Sequence, residues 1–258
     1  MTFRPDRRRL LGGALTGAAG LALAGCDQVA QSEGVNRVIG STEGLTRRVQ
    51  RLIQGRDTLA REYPESAISR DFRANGTTNP DSEVYQQHLA EGFANWRLEI
   101  GGLVERPLSL SLADLRKAPA RTQITRHDCV EGWSSIGKWT GARLGPLLAQ
   151  ARLKREARYI AFFCADTLEL TLDGTGDYYE TIDIVDAFHP QTILAYGKND
   201  GPLPVAHGAP VRLRVERQLG YKMAKYVMRI EAVESFAGLG QGKGGYWEDR
   251  GYQWYAGI

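Results

Sequence analysis

The sequence predicts a mixed α+β fold, rich in strands and built as a single domain. Three observations predict it. From Trp96 onward, runs of β-branched and aromatic residues recur, several with apolar and polar residues alternating. Short helical stretches break these runs irregularly, without the regular βαβ alternation of a parallel sheet. No internal repeat is present, and 258 residues with 42% hydrophobic and 24% charged composition make an ordinary globular chain, long enough to bury a core without disulfide staples.

Residues 1–25 read as an address rather than as fold. Arg7-Arg8-Arg9-Leu10-Leu11 is a twin-arginine n-region. The apolar stretch Gly12 to Ala24 is shorter than the ~20 residues of a membrane-spanning helix, as in a signal h-region. Leu23-Ala24-Gly25-Cys26 resembles a bacterial lipobox. Cleavage before Cys26 would leave that cysteine to carry a lipid, and Asp27 behind it resembles the signal that retains lipoproteins at the inner membrane. The expected location is the periplasm, reached folded by the twin-arginine route. Residues 26–40 are a polar tether. Leu45, Val49, Leu52, Ile53 and Leu59 stand at helical spacing, with Thr42 to cap and Pro64 to stop, which predicts an amphipathic helix over 42–62. Strands are expected at Trp96–Ile100, Thr122–His127, Tyr159–Cys164, Thr167–Leu172, Thr192–Tyr196, Val211–Val215 and Tyr226–Val233. Short helices fit Ser111–Lys117, Leu144–Ala151 and Ile184–Phe188. The Gly- and aromatic-rich tail 238–258 is expected to pack on the body as an ordered loop. The domain therefore runs over 41–258.

The formal charge of +3 is a property of the address. Without residues 1–25 the chain holds 29 basic and 29 acidic residues, so nothing argues for nucleic-acid binding. The cysteines, Cys26, Cys129 and Cys164, include no C-x-x-C, which excludes a zinc finger, and no C-x-x-C-H, which excludes c-type haem. No H-E-x-x-H or G-x-S-x-G occurs. The run from Gly238 to Gly245 fails as a P-loop, because no Ser or Thr follows Lys243.

Two patches carry chemistry. Cys129 ends a predicted strand beside Arg126 and His127, cations that would favour a thiolate, and a soft thiolate suits a transition metal. One cysteine makes a weak metal site, so a cofactor would supply the other ligands. The alternative is a structural bridge from Cys129 to Cys164 in an oxidising compartment. The second patch is His207-Gly-Ala-Pro-Val-Arg212, followed by Arg214, Arg217, Lys222 and Lys225. Its cations suit a phosphate or pyrophosphate, or else they form a solvated strand face.

The span Trp96 to Val233 resembles the molybdopterin-binding domain of the sulfite oxidase family. The resemblance rests on Trp96-Arg-Leu-Glu-Ile-Gly-Gly, His127-Asp-Cys129-Val-Glu-Gly-Trp133-Ser, Trp139-Thr-Gly-Ala-Arg-Leu, His189-Pro-Gln-Thr-Ile-Leu-Ala-Tyr, Gly201-Pro-Leu-Pro, His207-Gly-Ala-Pro-Val-Arg212-Leu and Gly220-Tyr-Lys-Met-Ala-Lys225-Tyr. It implies a sulfite-oxidase-type fold holding a molybdopterin-bound molybdenum, with Cys129 as the protein's metal ligand. It matches Asn75, Gly76 and Thr77 to an early cofactor loop and Asp166 to an acidic contact. His207, Arg212, Met223, Ala224 and Lys225 match the residues that hold the pterin and its phosphate. His127, Arg126 and Tyr178 or Tyr179 are its candidates for the pocket wall, while Trp133 is expected in the core and His88 and His189 in structural roles. Ala74 and Ser134 stand where sulfite oxidases carry sulfite-binding arginines. Cys-Val-Glu-x-Trp-Ser instead resembles the exported bacterial branch that includes the periplasmic methionine-sulfoxide reductase catalytic subunit. The resemblance implies two-electron oxygen-atom transfer on a small sulfite- or S-oxide-like substrate. Electrons would be exchanged with an external carrier, either a haem membrane subunit or a soluble cytochrome, by a monomer anchored through its lipid. The rival from another class is a non-enzymatic periplasmic lipoprotein that binds a small anion.

Overall fold

The computed structural model describes residues 44–52, 55–172, 174 and 176–258. The expected signal over 1–25, the expected tether over 26–40 and Cys26 lie outside them. The chain divides into two units, one ending at residue 53. In the first, residues 44–52 are helical.

The predicted helix over 42–62 does not extend through 55–62. Gly55 takes φ +71°, a conformation that ends helices. Beyond it the chain is extended and tied to the body. Ala60 exchanges hydrogen bonds with the Gln191 amide at 2.7 and 3.0 Å. The Tyr63 N–H donates to the Ile124 carbonyl at 2.9 Å.

Among the described residues of the second unit, ten strands make two sheets. One is ordered β2 (Leu108–Ser111), β1 (Arg97–Gly102), β10 (Val227–Val233), β5 (Tyr159–Thr167), β6 (Asp177–Asp183). Only β1 and β10 run parallel in it. The other is ordered β3 (Ala120–Asp128), β4 (Ser134–Arg143), β7 (Ile193–Lys198), β8 (Gly201–Pro202), with β9 (Arg212–Arg214) also on β7, all antiparallel. The helices are α1 (Glu83–Ala90), α2 (Leu112–Lys117), α3 (Leu144–Ala151) and α4 (Ile184–Ala187). Ser111 caps α2 through a reciprocal bond with Asp114, the capping-box arrangement.

The main core draws Leu98, Ile160, Phe162 and Ile230 from one sheet, Ala142, Leu194 and Leu213 from the other, and Leu144, Leu147 and Leu148 from α3. A smaller cluster of Trp139, Ile193, Ala195 and Leu203 is closed by Phe72. The expected strand Thr167–Leu172 is a correction. Thr167 ends β5, and 168–172 forms the crossing of a tight hairpin in which the Leu168 N–H bonds the Gly176 carbonyl at 2.8 Å. A Cβ on Gly176 would lie 1.7 Å from the Glu169 carbonyl oxygen, so only glycine allows the crossing. The tail is hydrogen-bonded to β6: Tyr179 Oη donates to Asp249 at 2.7 Å, and Trp254 Nε1 donates to Thr181 Oγ1 at 2.8 Å.

Candidate active site

The β3–β4 register runs to the pair Asp128 and Ser134, and residues 129–133 turn the hairpin. The Cys129 N–H donates to the Trp133 carbonyl at 2.9 Å and the Gly132 N–H to the Cys129 carbonyl at 3.1 Å, with Gly132 at φ +83°. This turn sets a buried thiol on the wall of a cavity of about 270 Å³. Asn75 Nδ2 reaches the sulfur at 3.5 Å. The early loop holding Asn75, Gly76 and Thr77 is fixed from the far half of the chain. Lys225 Nζ donates to the carbonyls of Asn75 (2.8 Å), Thr77 and Ala206 (3.3 Å), and Tyr226 Oη donates to that of Thr77 at 2.8 Å.

Nine of the predicted residues line this cavity: Asn75, Gly76, Thr77, Cys129, Asp166, Tyr178, Arg212, Met223 and Lys225. Arg212 donates to the carbonyls of His207 (3.1 Å) and Met223 (3.2 Å), yet its Nε is buried with no partner among the described residues. Asp166 Oδ1 is equally orphaned. Burial pushes the Asp166 carboxyl up to about 6 against the pull of Lys225. Burial and then Arg212 push Lys225 down to about 8. Two orphaned buried polar atoms facing one cavity are the signature of a missing polar ligand.

Five predicted residues are not brought to the cavity wall. Arg126 pairs with Asp128 at 2.8 Å. His127 is buried behind Cys129, with Nδ1 3.3 Å from Met223 Sδ and 3.1 Å from Arg214. Tyr179 is turned onto the tail through Asp249 and the Leu239 carbonyl. His207 lies behind Arg212, and Ala224 is buried, its carbonyl accepting from the Leu213 N–H at 2.8 Å. The expected source of the thiolate is also corrected. Burial and the neighbouring Glu131 push the Cys129 thiol up, opposed only by hydrogen bonds from Asn75 and the local backbone. Burial, then Arg214 and Arg212, hold His127 neutral, so a thiolate here needs a cation brought to the sulfur, as a metal would be. Cys129 and Cys164 are both free, so the bridge is absent.

The cation patch divides. Arg214 pairs with Glu216 at 2.6 Å and Arg217 with Asp186 at 2.6 Å. Lys222 is wholly buried between Glu180 (2.5 Å) and Glu248. Arg212 and Lys225 alone among these face the cavity. Trp133 is not core; it stays half-buried in the hairpin turn, donating to Glu131 at 2.8 Å. His189 is buried, as expected, against the Thr58 carbonyl at 3.1 Å.

Sequence reasoning missed part of the lining. Val130, Glu131, Gly220 and Tyr221 sit inside recognised motifs but were given no role, and Leu168, Trp247 and Tyr252 come from the hairpin and the tail. The aromatic content of the tail was the available signal.

Residues 85–237 match the family described as the oxidoreductase molybdopterin binding domain. The chain belongs to that family. This molybdopterin-binding oxidoreductase is 36% identical over 253 residues to the putative protein-methionine-sulfoxide reductase subunit YedZ1 of Azospira oryzae, covering 98% of this chain and 88% of that one. It is 34% identical over 238 residues to the protein-methionine-sulfoxide reductase catalytic subunit MsrP of Xanthomonas axonopodis pv. citri, covering 89% and 70%. It is 36% identical over 154 residues to MsrP of Campylobacter jejuni, covering 55% and 51%. The chain is therefore an enzyme of the sulfite oxidase family with a molybdopterin cofactor, and the anion-binder reading falls. The residues present fit that cofactor. Among the described residues no cluster of three or more His, Cys, Asp or Glu could hold a metal unaided. On the wall of one cavity, Cys129 would be free to give a thiolate to a metal whose other ligands come with the cofactor, and Arg212 and Lys225 would offer cations to its phosphate.

Proposed function

We propose that this oxidoreductase is an exported catalytic subunit that transfers an oxygen atom by reducing a small S-oxide to its thioether. The balance is one S-oxide, two electrons and two protons in, one thioether and one water out. The observation that carries the proposal is the buried Cys129 thiol opening on a cavity that also holds Arg212 and Lys225. When bound, the molybdenum cofactor supplies the two-electron oxygen-atom chemistry. The chain's residues do the rest. Cys129 ligates the metal. Asn75, Gly76, Thr77, Asp166, Arg212, Met223 and Lys225 hold the pterin and its phosphate. His127, Arg126, Tyr179, His207 and Ala224 act from outside the cavity wall, by supporting residues on it. Val130, Tyr221, Trp247 and Tyr252 give the cavity apolar and aromatic surface, which favours a thioether over a sulfite dianion. Ala74 and Ser134, in place of anion-binding arginines, support the same choice. The names of the relatives point to methionine sulfoxide.

Electrons come one at a time from an external carrier, a haem membrane subunit or a soluble cytochrome. The enzyme is a monomer in the periplasm, exported folded and held to the inner membrane by a lipid on Cys26.

The test is molybdenum by elemental mass spectrometry on protein made in a molybdopterin-producing host, followed by turnover with reduced viologen as electron donor. About one molybdenum per chain, lost in Cys129→Ser, with methionine sulfoxide reduced, is the expected result. Metal-free protein overturns the site. Metal-loaded protein that oxidises sulfite and leaves methionine sulfoxide untouched overturns the substrate.

A further inference from the structure

The helix over 44–52 belongs to the first unit of the chain and takes no part in the site. Leu45, Val49 and Leu52 stand on it at i, i+4 and i+7, which is one face of a helix. They are the only large apolar side chains among residues 44–52. All three are exposed, at 61%, 45% and 86%, while Arg47, Gln50 and Arg51 are half-buried. A single exposed leucine is ordinary on a protein surface. A helix that turns its whole apolar stripe outward is not, because that stripe normally faces a core.

The neighbouring charges say what covers it. Arg47, Arg48, Arg51 and Arg56 fall within residues 44–56, and no acid does. The chain without residues 1–25 is neutral, so this is a local concentration of positive charge. An apolar stripe flanked by arginines matches an anionic bilayer. The leucines suit the acyl-chain boundary, and the guanidiniums reach the lipid phosphates on long stems. The helix is about 13 Å long, under half of the ~30 Å hydrocarbon core, so it fits the surface and cannot span. Gly44 stands 18 positions after Cys26, a reach of at most ~60 Å. A lipid on that cysteine would therefore hold the helix at high effective concentration over the bilayer.

We propose that the 44–52 helix is a membrane-surface element, seating Leu45, Val49 and Leu52 in an anionic bilayer with its arginines among the lipid phosphates. The inner membrane as its location rests on the exported, lipid-anchored reading; the affinity of the helix for anionic lipid does not. Alone the contact is weak and reversible, so protein without its lipid leaves the membrane when cells are fractionated. Added to a lipid, it keeps the enzyme at the surface where a membrane-bound electron donor lies.

The processed chain, residues 26–258 with Cys26→Ala, made in a molybdopterin-producing host, carries neither signal nor lipid. At low salt it is expected to float with phosphatidylglycerol-containing vesicles at least tenfold more than with phosphatidylcholine vesicles. Salt at about 0.5 M, which shortens the Debye length to a few Å, should release it. Leu45→Asp with Leu52→Asp is expected to abolish flotation and Arg48→Glu to cut it several-fold, with the thermal midpoint unchanged because these side chains are exposed. Absence of flotation with the anionic vesicles overturns the proposal, as does equal flotation with both lipids, and neither needs a variant to show it. Flotation that survives the paired leucine change puts the contact on another surface. A dimer in size-exclusion chromatography that the same change dissolves makes a second copy the cover. Both overturn it as well. Neither lipidation nor turnover enters the readout, so failure here is separate from failure of the anchor or of the molybdenum reading.

Discussion

Asp166 shows how single residues bear the cost of an open site. Its carboxyl is held near 6 by burial, against about 3.8 in the unfolded chain. Between those values the folded state keeps a proton that the unfolded state has lost, so stability falls as pH rises from about 4 to about 6. The full effect is about 3 kcal/mol above that window. Cofactor-free Asp166→Asn is expected to be up to that much more stable at pH 7, with the slope gone, while holding pterin less well; urea midpoints across pH 4–7 check it. Gly220 acts through contact. A Cβ there would come within 2.4 Å of His127 Nε2, and His127 backs the Cys129 hairpin. Gly220→Ala is expected to shift that ring and lower molybdenum occupancy several-fold with the circular dichroism spectrum preserved. The motif around Cys129 was legible because a lone cysteine between charged and aromatic residues stands out. The orientation of its neighbours was not. Sequence shows His127 and Arg126 beside the sulfur in the chain but says nothing of Asp128 taking the arginine or Met223 meeting the imidazole.

At the scale of elements, legibility followed side-chain size. The apolar run of β5 and the whole of α3 were readable. β4 was missed although it carries the hairpin, because its buried face includes Ser135, Gly137, Trp139 and Gly141, and glycine is depleted in strands. Those glycines serve close approach: a Cβ at Gly141 would sit 2.3 Å from the Leu194 carbonyl oxygen of β7. β6 was missed because burial on both faces gives it no alternation, while the exposed Leu170 and Leu172 imitate a strand in a hairpin tip. The ammonium of Lys222 joins β6, the 220–222 turn and the tail through Glu180 and Glu248. Removing one partner of a buried ion pair strands the other charge. Lys222→Met is therefore expected to destabilise the protein by about 3–5 kcal/mol and Glu248→Gln by less, since Glu180 still neutralises the lysine. Denaturant midpoints at neutral pH rank the two.

For the whole molecule, the family and cofactor were legible because seven short motifs keep their order along the chain, which composition alone never indicates. The address at residues 1–25 gives its own test. Arg7→Lys with Arg8→Lys is expected to leave folded protein in the cytoplasm, and Cys26→Ala to release exported protein from the membrane fraction into the soluble periplasm; fractionation and blotting read both. Among the described residues no helix is long and apolar enough to cross a membrane. The clamp that Lys225 makes on the Asn75–Thr77 loop spans 150 positions of sequence. A growing chain therefore has no cofactor pocket until its last strand has emerged from the ribosome and docked. Insertion of the cofactor must then be a late event, one that waits on nearly the whole domain being made and folded.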